Sequence, residues 1–325
     1  MKSLRHRFTQ YTGLLREWKG TYVINNLLNW EKLIFNRSLY KKYGIRKSIF
    51  APIGYKDFPE NKTEIPWLDQ PNALEKLKQN EAFQTFSATE QKAIEQFVED
   101  GYLVLEGFFG EEDVEKLNVE IDGLLQEQAI KFNYSGRKIM DAHLHAEVAD
   151  TVFFRNARLL KLLQFIMGKK IIPFQTINFV EGSEQRAHSD SIHMTTYPQG
   201  YLIAAWIALE DIQEGTGELF YYPGSHRLPF VSTEDYPSGN SRYLIGKESN
   251  KLYEDRIGAL VVEKKLKKEV FMAKKGDILL WHANLLHGGS PISKAGASRK
   301  SMVAHYFCED VICYHEMTQR PAILR

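Results

Sequence analysis

A mainly β fold, either a sandwich or a closed jelly roll with helices flanking one sheet, is what the sequence predicts. Two observations carry this. Beyond residue 135, short apolar or alternating segments recur at 138–144, 172–180, 201–209, 218–222, 270–273, 277–281 and 301–307, with turn-forming residues between them. Helical periodicities cluster before residue 135 and few interrupt the strands, so the regular alternation of a doubly wound βαβ sheet is missing.

The first 50 residues hold eleven Lys or Arg against Glu17 and Glu31, a balance of +9 that leaves −8 on the rest of a chain whose net charge is +1. Tyr22, Leu27, Leu28, Trp30, Leu33, Ile34 and Phe35 are interleaved there with Lys32, Arg37, Lys41 and Lys42. That mixture suits either a helix packed on the main domain or an amphipathic helix meeting a membrane surface or an anionic ligand. From 51 to 86, Pro52, Gly54, Pro59, Pro66 and Pro71 break any long periodicity, as in a wrapping linker. Residues 1–86 are therefore expected to form a basic helical extension with its linker, and residues 87–325 the main domain.

Ser87-Ala-Thr-Glu90 has capping-box spacing and opens a helix through Ala93, Ile94 and Phe97 that stops at Gly101. Residues 102–105 read as a strand. Glu111, Glu112 and Asp113 suit the positive end of a second helix, whose buried stripe is Val114, Leu117, Ile121, Leu124 and Leu125. Among the later strands, the polar stretch 228–268 is too long for a turn and is expected as an insertion, a candidate lid.

With 43% hydrophobic and 26% charged residues over 325 positions, the chain is able to bury a large core. Its near-neutral charge argues against nucleic acid as a partner. Cys308 and Cys313 are the only cysteines, and they make no disulfide framework. The basic N-terminus lacks the apolar stretch of a secretory signal, and no apolar run reaches about 18 residues, so a cytoplasmic location is expected.

The chemistry concentrates in two segments. Ala187-His188-Ser189-Asp190 follows a strand, and the two-residue period of extended chain sends His188 and Asp190 to one side. Residues 276–289 bring a strand through Trp281 and His282 to His287, before what reads as a glycine turn. Two imidazoles and one carboxylate form the facial set that suits non-haem iron(II) and leaves positions for a chelating co-substrate and dioxygen. His193 and His282 are rival ligands, but His193 points elsewhere on an extended chain and His282 lies within its strand. His143 and His145 lack a downstream carboxylate partner and read as strand residues facing one side of the sheet. His226, in the turn Pro-Gly-Ser-His, is expected to bond backbone. Cys308 and Cys313 have no second pair at zinc spacing.

Phe97-Val-Glu-Asp-Gly101-Tyr102 comes first, then His188-X-Asp190, then Trp206-Ile-Ala-Leu209-Glu-Asp211 running into Gly217-Glu-Leu-Phe-Tyr-Tyr-Pro223-Gly224-Ser225-His226-Arg227. His287-Gly288 and a basic Arg299 complete an ordered set that resembles the phytanoyl-CoA dioxygenase family over roughly residues 88–308. The resemblance implies a double-stranded β-helix core, the cupin-like jelly roll, with iron(II), 2-oxoglutarate as co-substrate, and O2. It implies His188, Asp190 and His287 as metal ligands and Arg299 as the grip on the distal carboxylate of 2-oxoglutarate, where a guanidinium fork outdoes a lysine. Trp206 falls where the family places an aromatic wall, and Lys138 near a position where some members use a polar partner. Members often carry Ser or Thr two residues after the distal histidine; Gly289 stands there in this chain, and Ser290 is next in line for that role.

The activity so implied is hydroxylation of an aliphatic carbon in a small-molecule or lipid-like substrate, with 2-oxoglutarate decarboxylated to succinate. Asp190 points the same way, because related halogenases carry a small residue in place of the carboxylate. The reading from another class is a non-catalytic jelly-roll binding protein that docks on an anionic surface through its first 50 residues.

Overall fold

The computed structural model describes residues 17–59, 64–133 and 136–323, so the first part of the basic N-terminal segment lies outside the described residues. The helices are α1 (Lys19–Leu28), α2 (Asn36–Tyr43), α3 (Ala73–Gln79), α4 (Ala88–Asp100), α5 (Glu111–Gln126), α6 (Ala157–Met167) and α7 (Ser249–Glu263). The strands are β1 (Tyr102–Leu105), β2 (Lys138–Met140), β3 (Ile171–Phe179), β4 (Thr195–Tyr197), β5 (Leu202–Ala208) and β6 (Leu219–Tyr221), followed by β7 (Glu269–Phe271), β8 (Ile278–His282), β9 (His287–Gly289), β10 (Ser301–Cys308), β11 (Ile312–His315) and β12 (Arg320–Pro321).

Alternation along the central strands sorts side chains into two cores. In β5, Ile203, Ala205 and Ile207 enter one core, while Ala204, Trp206 and Ala208 enter the other. A strand buried on both faces has to be apolar throughout, which is why this run shows no polar alternation. β5 lies in the middle of a six-stranded antiparallel sheet of order β1-β8-β5-β10-β3-β2. Ile94 and Phe97 of α4, Leu117 and Ile121 of α5, and Leu162 and Ile166 of α6 cover its outer face. The inner face meets Leu219 and Tyr221 of a smaller sheet, β7-β6-β9, across the second core. Two facing antiparallel sheets with this connectivity make the double-stranded β-helix, a cupin-like jelly roll, as expected.

The capping box at Ser87 forms, with the Ser87 N–H donating to Glu90 Oε2 at 3.0 Å and the Glu90 N–H donating to Ser87 Oγ at 3.3 Å. Other expectations need correction. Helix α6 interrupts the strand-rich half, where few helices are expected; Leu159, Leu162, Leu163 and Ile166 form its buried stripe between the Asn156 cap and the left-handed Gly168. The strand expected at 138–144 ends at Met140, because Asp141 adopts a left-handed conformation and begins a 3-10 turn. His143 and His145 therefore leave the sheet. His143 packs on Phe154 with its Nδ1 2.9 Å from Thr176 Oγ1, and His145 is exposed.

The third sheet, β12-β11-β4, supports the N-terminal segment. Leu33, Leu39, Tyr40, Ile49 and Ile53 pack against Tyr197, Ile312 and Tyr314, and the Phe58 and Tyr197 rings stack at 4.4 Å. Lys19 is buried and donates to the Ser241 carbonyl at 2.6 Å and to Gln319 Oε1 at 2.7 Å. From residue 17 on, this segment is thus joined to the fold, while Leu27, Leu28, Trp30 and Ile34 remain exposed. Leu68, Leu77 and Phe83, from the wrapping stretch, enter the main core. The insertion at 228–268 holds α7, whose Tyr253 and Ile257 pack on Phe220, Tyr222 and Leu286. It is anchored to the outside of the small sheet and does not hang over the site as a detached lid. No helix among the described residues is long and apolar enough to cross a membrane.

Leu33 is 0% exposed and Leu28 79%, so the two leucines separate packing from mere presence in the segment. Leu33→Ala is expected to cost about 2–5 kcal/mol in urea unfolding, and Leu28→Ala close to nothing. Equal midpoints for both variants would show that the segment does not pack as described.

Candidate metal centre and its cavity

The site is built on one backbone pairing. β9 pairs with β6 on one side, and on its other side His287 faces His188: the His188 N–H donates to the His287 carbonyl and the His287 N–H to the His188 carbonyl, each at 2.9 Å. The two rings stand with centroids 4.5 Å apart. His188 Nδ1 lies 2.9 Å from the Arg186 carbonyl and His287 Nδ1 lies 3.0 Å from the Leu285 carbonyl. A carbonyl only accepts, so both Nδ1 atoms carry the proton and both Nε2 atoms present lone pairs.

Ser189 is extended, so the two-residue period holds across it, and the chain then turns at Asp190 into a 3-10 segment. Asp190 Oδ1 sits 4.0 Å from His188 Nε2 and 3.7 Å from His287 Nε2. All three donor atoms lie within 4.8 Å of one another, close enough for one ion to meet all of them. Gly288 and Gly289 do not form the expected turn; they belong to β9. A Cβ on Gly288 would lie 2.6 Å from the Gln185 carbonyl and one on Gly289 2.6 Å from Ser183 Oγ, so glycine is required by close approach of the 183–185 segment.

Asp190 Oδ2 is held apart from the imidazoles. Trp281 Nε1–H donates to it at 2.7 Å, and His305 Nε2 stands 3.5 Å away. His305 escaped the sequence reading because no motif flanks it, although alternation along β10 from Val303 to His305 to Phe307 marks it as inward-facing, and all three line the cavity. Burial alone would raise the Asp190 carboxyl, but His287, His305 and His188 outweigh it and hold the acid below the usual carboxylate range. Burial first, and then the neighbouring imidazole of His287, push His188 well below the ordinary histidine value; burial also lowers His287. Neutral imidazoles beside an ionised carboxylate are the protonation states that metal binding needs.

The rival histidines have other surroundings. His193 lines the cavity with its ring 6.0 Å from His188 and 5.5 Å from His315, and burial pushes it down to about 4. His282 lies outside the cavity, its Nε2 3.3 Å from Asp69 Oδ1 and its Nδ1 accepting from the Asn284 N–H at 3.1 Å. His226 bonds the Val98 backbone, as its turn suggested.

A cavity of about 850 Å³ opens beside the three donors and also reaches Arg299, Trp206 and Lys138. Arg299 is 2% exposed; its Nη1 donates to Ser301 Oγ at 2.8 Å and its Nε has no partner. Among the described residues no carboxylate stands within ion-pair distance of it. Its guanidinium lies 5.3 Å from the Phe179 ring and 5.7 Å from the Trp206 ring. Burial lowers its pKa to about 10, which still leaves it charged at neutral pH. A buried cation without a counter-ion is costly, so the arrangement suits an anion that enters from the cavity. Lys138 is half-buried, donates to Gln185 Oε1 at 2.9 Å and is lowered by burial. Ser290 is buried and its N–H donates to the Glu218 carbonyl at 2.8 Å; it does not line the cavity, and the hydroxyl on Arg299 belongs to Ser301.

The model of the phytanoyl-CoA dioxygenase (PhyH) family matches residues 97–301. The chain belongs to this family. It is 22% identical over 240 residues to the peroxisomal phytanoyl-CoA dioxygenase of Mus musculus, covering 67% of this chain and 68% of that one. It is also 22% identical to the ectoine dioxygenase of Bordetella parapertussis, over 61% of this chain and 68% of the relative. Among solved structures it shares its fold with EctD from S. alaskensis, crystallised with 2-oxoglutarate and 5-hydroxyectoine, at TM-score 0.53 and 22% identity over 69% of this chain and 76% of that one. The non-heme α-ketoglutarate-dependent epimerase SnoN from nogalamycin biosynthesis aligns at TM-score 0.55 and 18% identity, over 71% and 87%. This PhyH protein is an iron- and 2-oxoglutarate-dependent dioxygenase, which leaves the non-catalytic reading of the jelly roll without support.

His188→Ala and His287→Ala are each expected to abolish iron uptake while circular dichroism stays that of the wild type. Wild-type iron content in both variants would move the metal elsewhere, His193 being first in line. A second expectation concerns pH. Burial lowers His188, His193, His287 and His315 in the fold, against about 6.5 unfolded. They stabilise the neutral form, so their contribution is complete above about pH 6.5 and is lost as pH falls through the folded value, about 4 for His193. Urea midpoints of metal-free protein should therefore drop between pH 6.5 and 4, and flat midpoints would mean that these imidazoles titrate as in free peptide.

Proposed function

We propose that the protein hydroxylates an aliphatic carbon of a small-molecule or lipid-like substrate, with iron(II) on His188, Asp190 and His287 and 2-oxoglutarate anchored by Arg299. The observation that carries this reading is the buried guanidinium of Arg299, without a carboxylate partner, in the same cavity as a clustered His-Asp-His donor set. When bound, iron and 2-oxoglutarate supply the oxidising power, one atom of O2 going into succinate as CO2 leaves and the other into the substrate.

The chain's own residues prepare this. Trp281 ties down Asp190 Oδ2 and leaves Oδ1 turned to the two imidazoles. Backbone carbonyls hold both rings in the tautomer whose Nε2 lone pairs face inward. Ser301 steadies one arm of Arg299 and leaves its Nε free to donate to an incoming carboxylate. Trp206 and Phe179 wall the guanidinium, which keeps water from competing for it. Lys138 is a further cation inside the cavity, and Ser290 keeps only an indirect place behind the wall.

The reading includes a cytoplasmic location, for which the free thiols of Cys308 and Cys313 speak. It also includes a peripheral contact of the basic N-terminal segment with an anionic surface.

Arg299→Ala should raise the half-saturating concentration of 2-oxoglutarate by about 30-fold or more, since removing one partner of a buried charge pair costs roughly 2–5 kcal/mol. Arg299→Lys should recover only part of this, because a lysine cannot fork onto a carboxylate. The assay is succinate release with iron(II). An unchanged half-saturation in Arg299→Ala would hand the carboxylate to Lys138.

A further inference from the structure

Helix α1 has two adjoining stripes. Asn25, Asn26 and Asn29, with Lys32 just beyond, line the cavity. Next to them Ile24, Leu27 and Leu28 occupy i, i+3 and i+4 and face water, Leu28 at 79% exposure and Ile24 at 53%. Trp30 and Ile34 continue this apolar surface, and Trp18 precedes it. Met140 and Leu144 also line the cavity and stand exposed, so apolar side chains from a second segment lie at its mouth. Single exposed leucines are ordinary, whereas a contiguous set around a cavity mouth marks a surface that something covers.

Charge identifies the cover. Lys32 follows this face in the chain and Arg37, Lys41 and Lys42 are exposed on α2, and among the described residues none of the four has an ion-pair partner. An apolar stripe with Trp18 and Trp30 near it, followed in the chain by exposed basic residues, has the composition of a segment that lies at a lipid interface. A second copy of the chain would bring the same positive charges together and be repelled. We propose that α1 docks the cavity mouth on an anionic lipid bilayer, so that an amphiphilic substrate passes from the lipid into the site. The delivery step rests on the oxygenase reading given above; the docking step does not.

The test is co-sedimentation of the full chain with vesicles of phosphatidylcholine, with and without phosphatidylglycerol. Binding should require the anionic lipid and should weaken as salt shortens the Debye length from about 10 Å at 0.1 M to about 3 Å at 1 M. The double variant Leu27→Glu/Leu28→Glu should lower partitioning at least tenfold, because each buried leucine is worth on the order of a tenfold change. Lys41→Glu/Lys42→Glu, which leaves the apolar stripe intact, should lower it about tenfold on anionic vesicles alone. Succinate release in the absence of added substrate should match the wild type in both variants, which also checks that they fold. Equal recovery on both vesicle types, or wild-type binding by both variants, would overturn docking. So would a wild-type dimer that ignores vesicles and becomes monomeric in Leu27→Glu/Leu28→Glu, since the face would then join two copies. Vesicle binding by a protein that releases no succinate would keep the docking and discard the oxygenase reading, so the two fail separately.

Discussion

The reciprocal backbone pair between His188 and His287 is the constraint on which the site depends. It joins two segments roughly a hundred residues apart in the chain, and both imidazoles take their positions from it. The pair forms only because β9 is glycine after its first residue, which lets the 183–185 segment approach the backbone at a distance no Cβ would allow. Further contacts brace the same place. Tyr253 of α7 accepts from the Ser189 N–H at 3.0 Å, and Ser189 Oγ donates to the Ala283 carbonyl at 2.9 Å. The insertion is thus tied to the residue between two of the donors, which explains why it is packed helix with an aromatic anchor and not a free flap.

Electrostatics divides the cavity into two unequal tasks. Around Asp190, the Trp281 indole N–H holds Oδ2 of the ionised carboxylate, while His188 and His287 turn Nε2 lone pairs toward Oδ1, so the negative end of the cavity is left for a cation to complete. Around Arg299 the compensation is incomplete, with one serine hydroxyl, two aromatic faces and an open Nε. A carboxylate faced by lone pairs favours a cation between them, and a buried guanidinium without a carboxylate favours whatever anion completes it. The inner sheet faces can hold both because the strands that carry Trp206, Trp281 and Val303 are themselves packed on two sides.

Legibility followed the range of the interactions. Helix α4 could be read because its cap and stripe lie within one stretch of chain, and β5 because seven consecutive apolar residues leave no other use for it. The strands β4, β9, β11 and β12 are two to four residues long, too short for any period to register. Helix α6 carries an equally clear stripe and both caps within one stretch of chain, between the segments 138–144 and 172–180. His143 was misplaced for a different reason: one left-handed residue, Asp141, ends β2 and removes everything after it from the sheet. His305 and Ser301 lie on the inner face of β10, and only the fold shows that one meets Asp190 and the other Arg299.

The sequence by itself determined the mainly β class and the family, and singled out His188, Asp190 and His287 as candidate donors, because each rests on residue type and short-range order. Tertiary structure alone decided which side chains serve those candidates, that the glycines after His287 make room for the 183–185 segment, and that Ser301 rather than Ser290 reaches Arg299. It also decided that α1 lines the cavity with one stripe and shows apolar side chains to water with the next. The physical reason is common to all of these. Local preference and periodicity are written in neighbouring residues, but burial and charge pairing are set by segments that meet only when the two sheets close on each other.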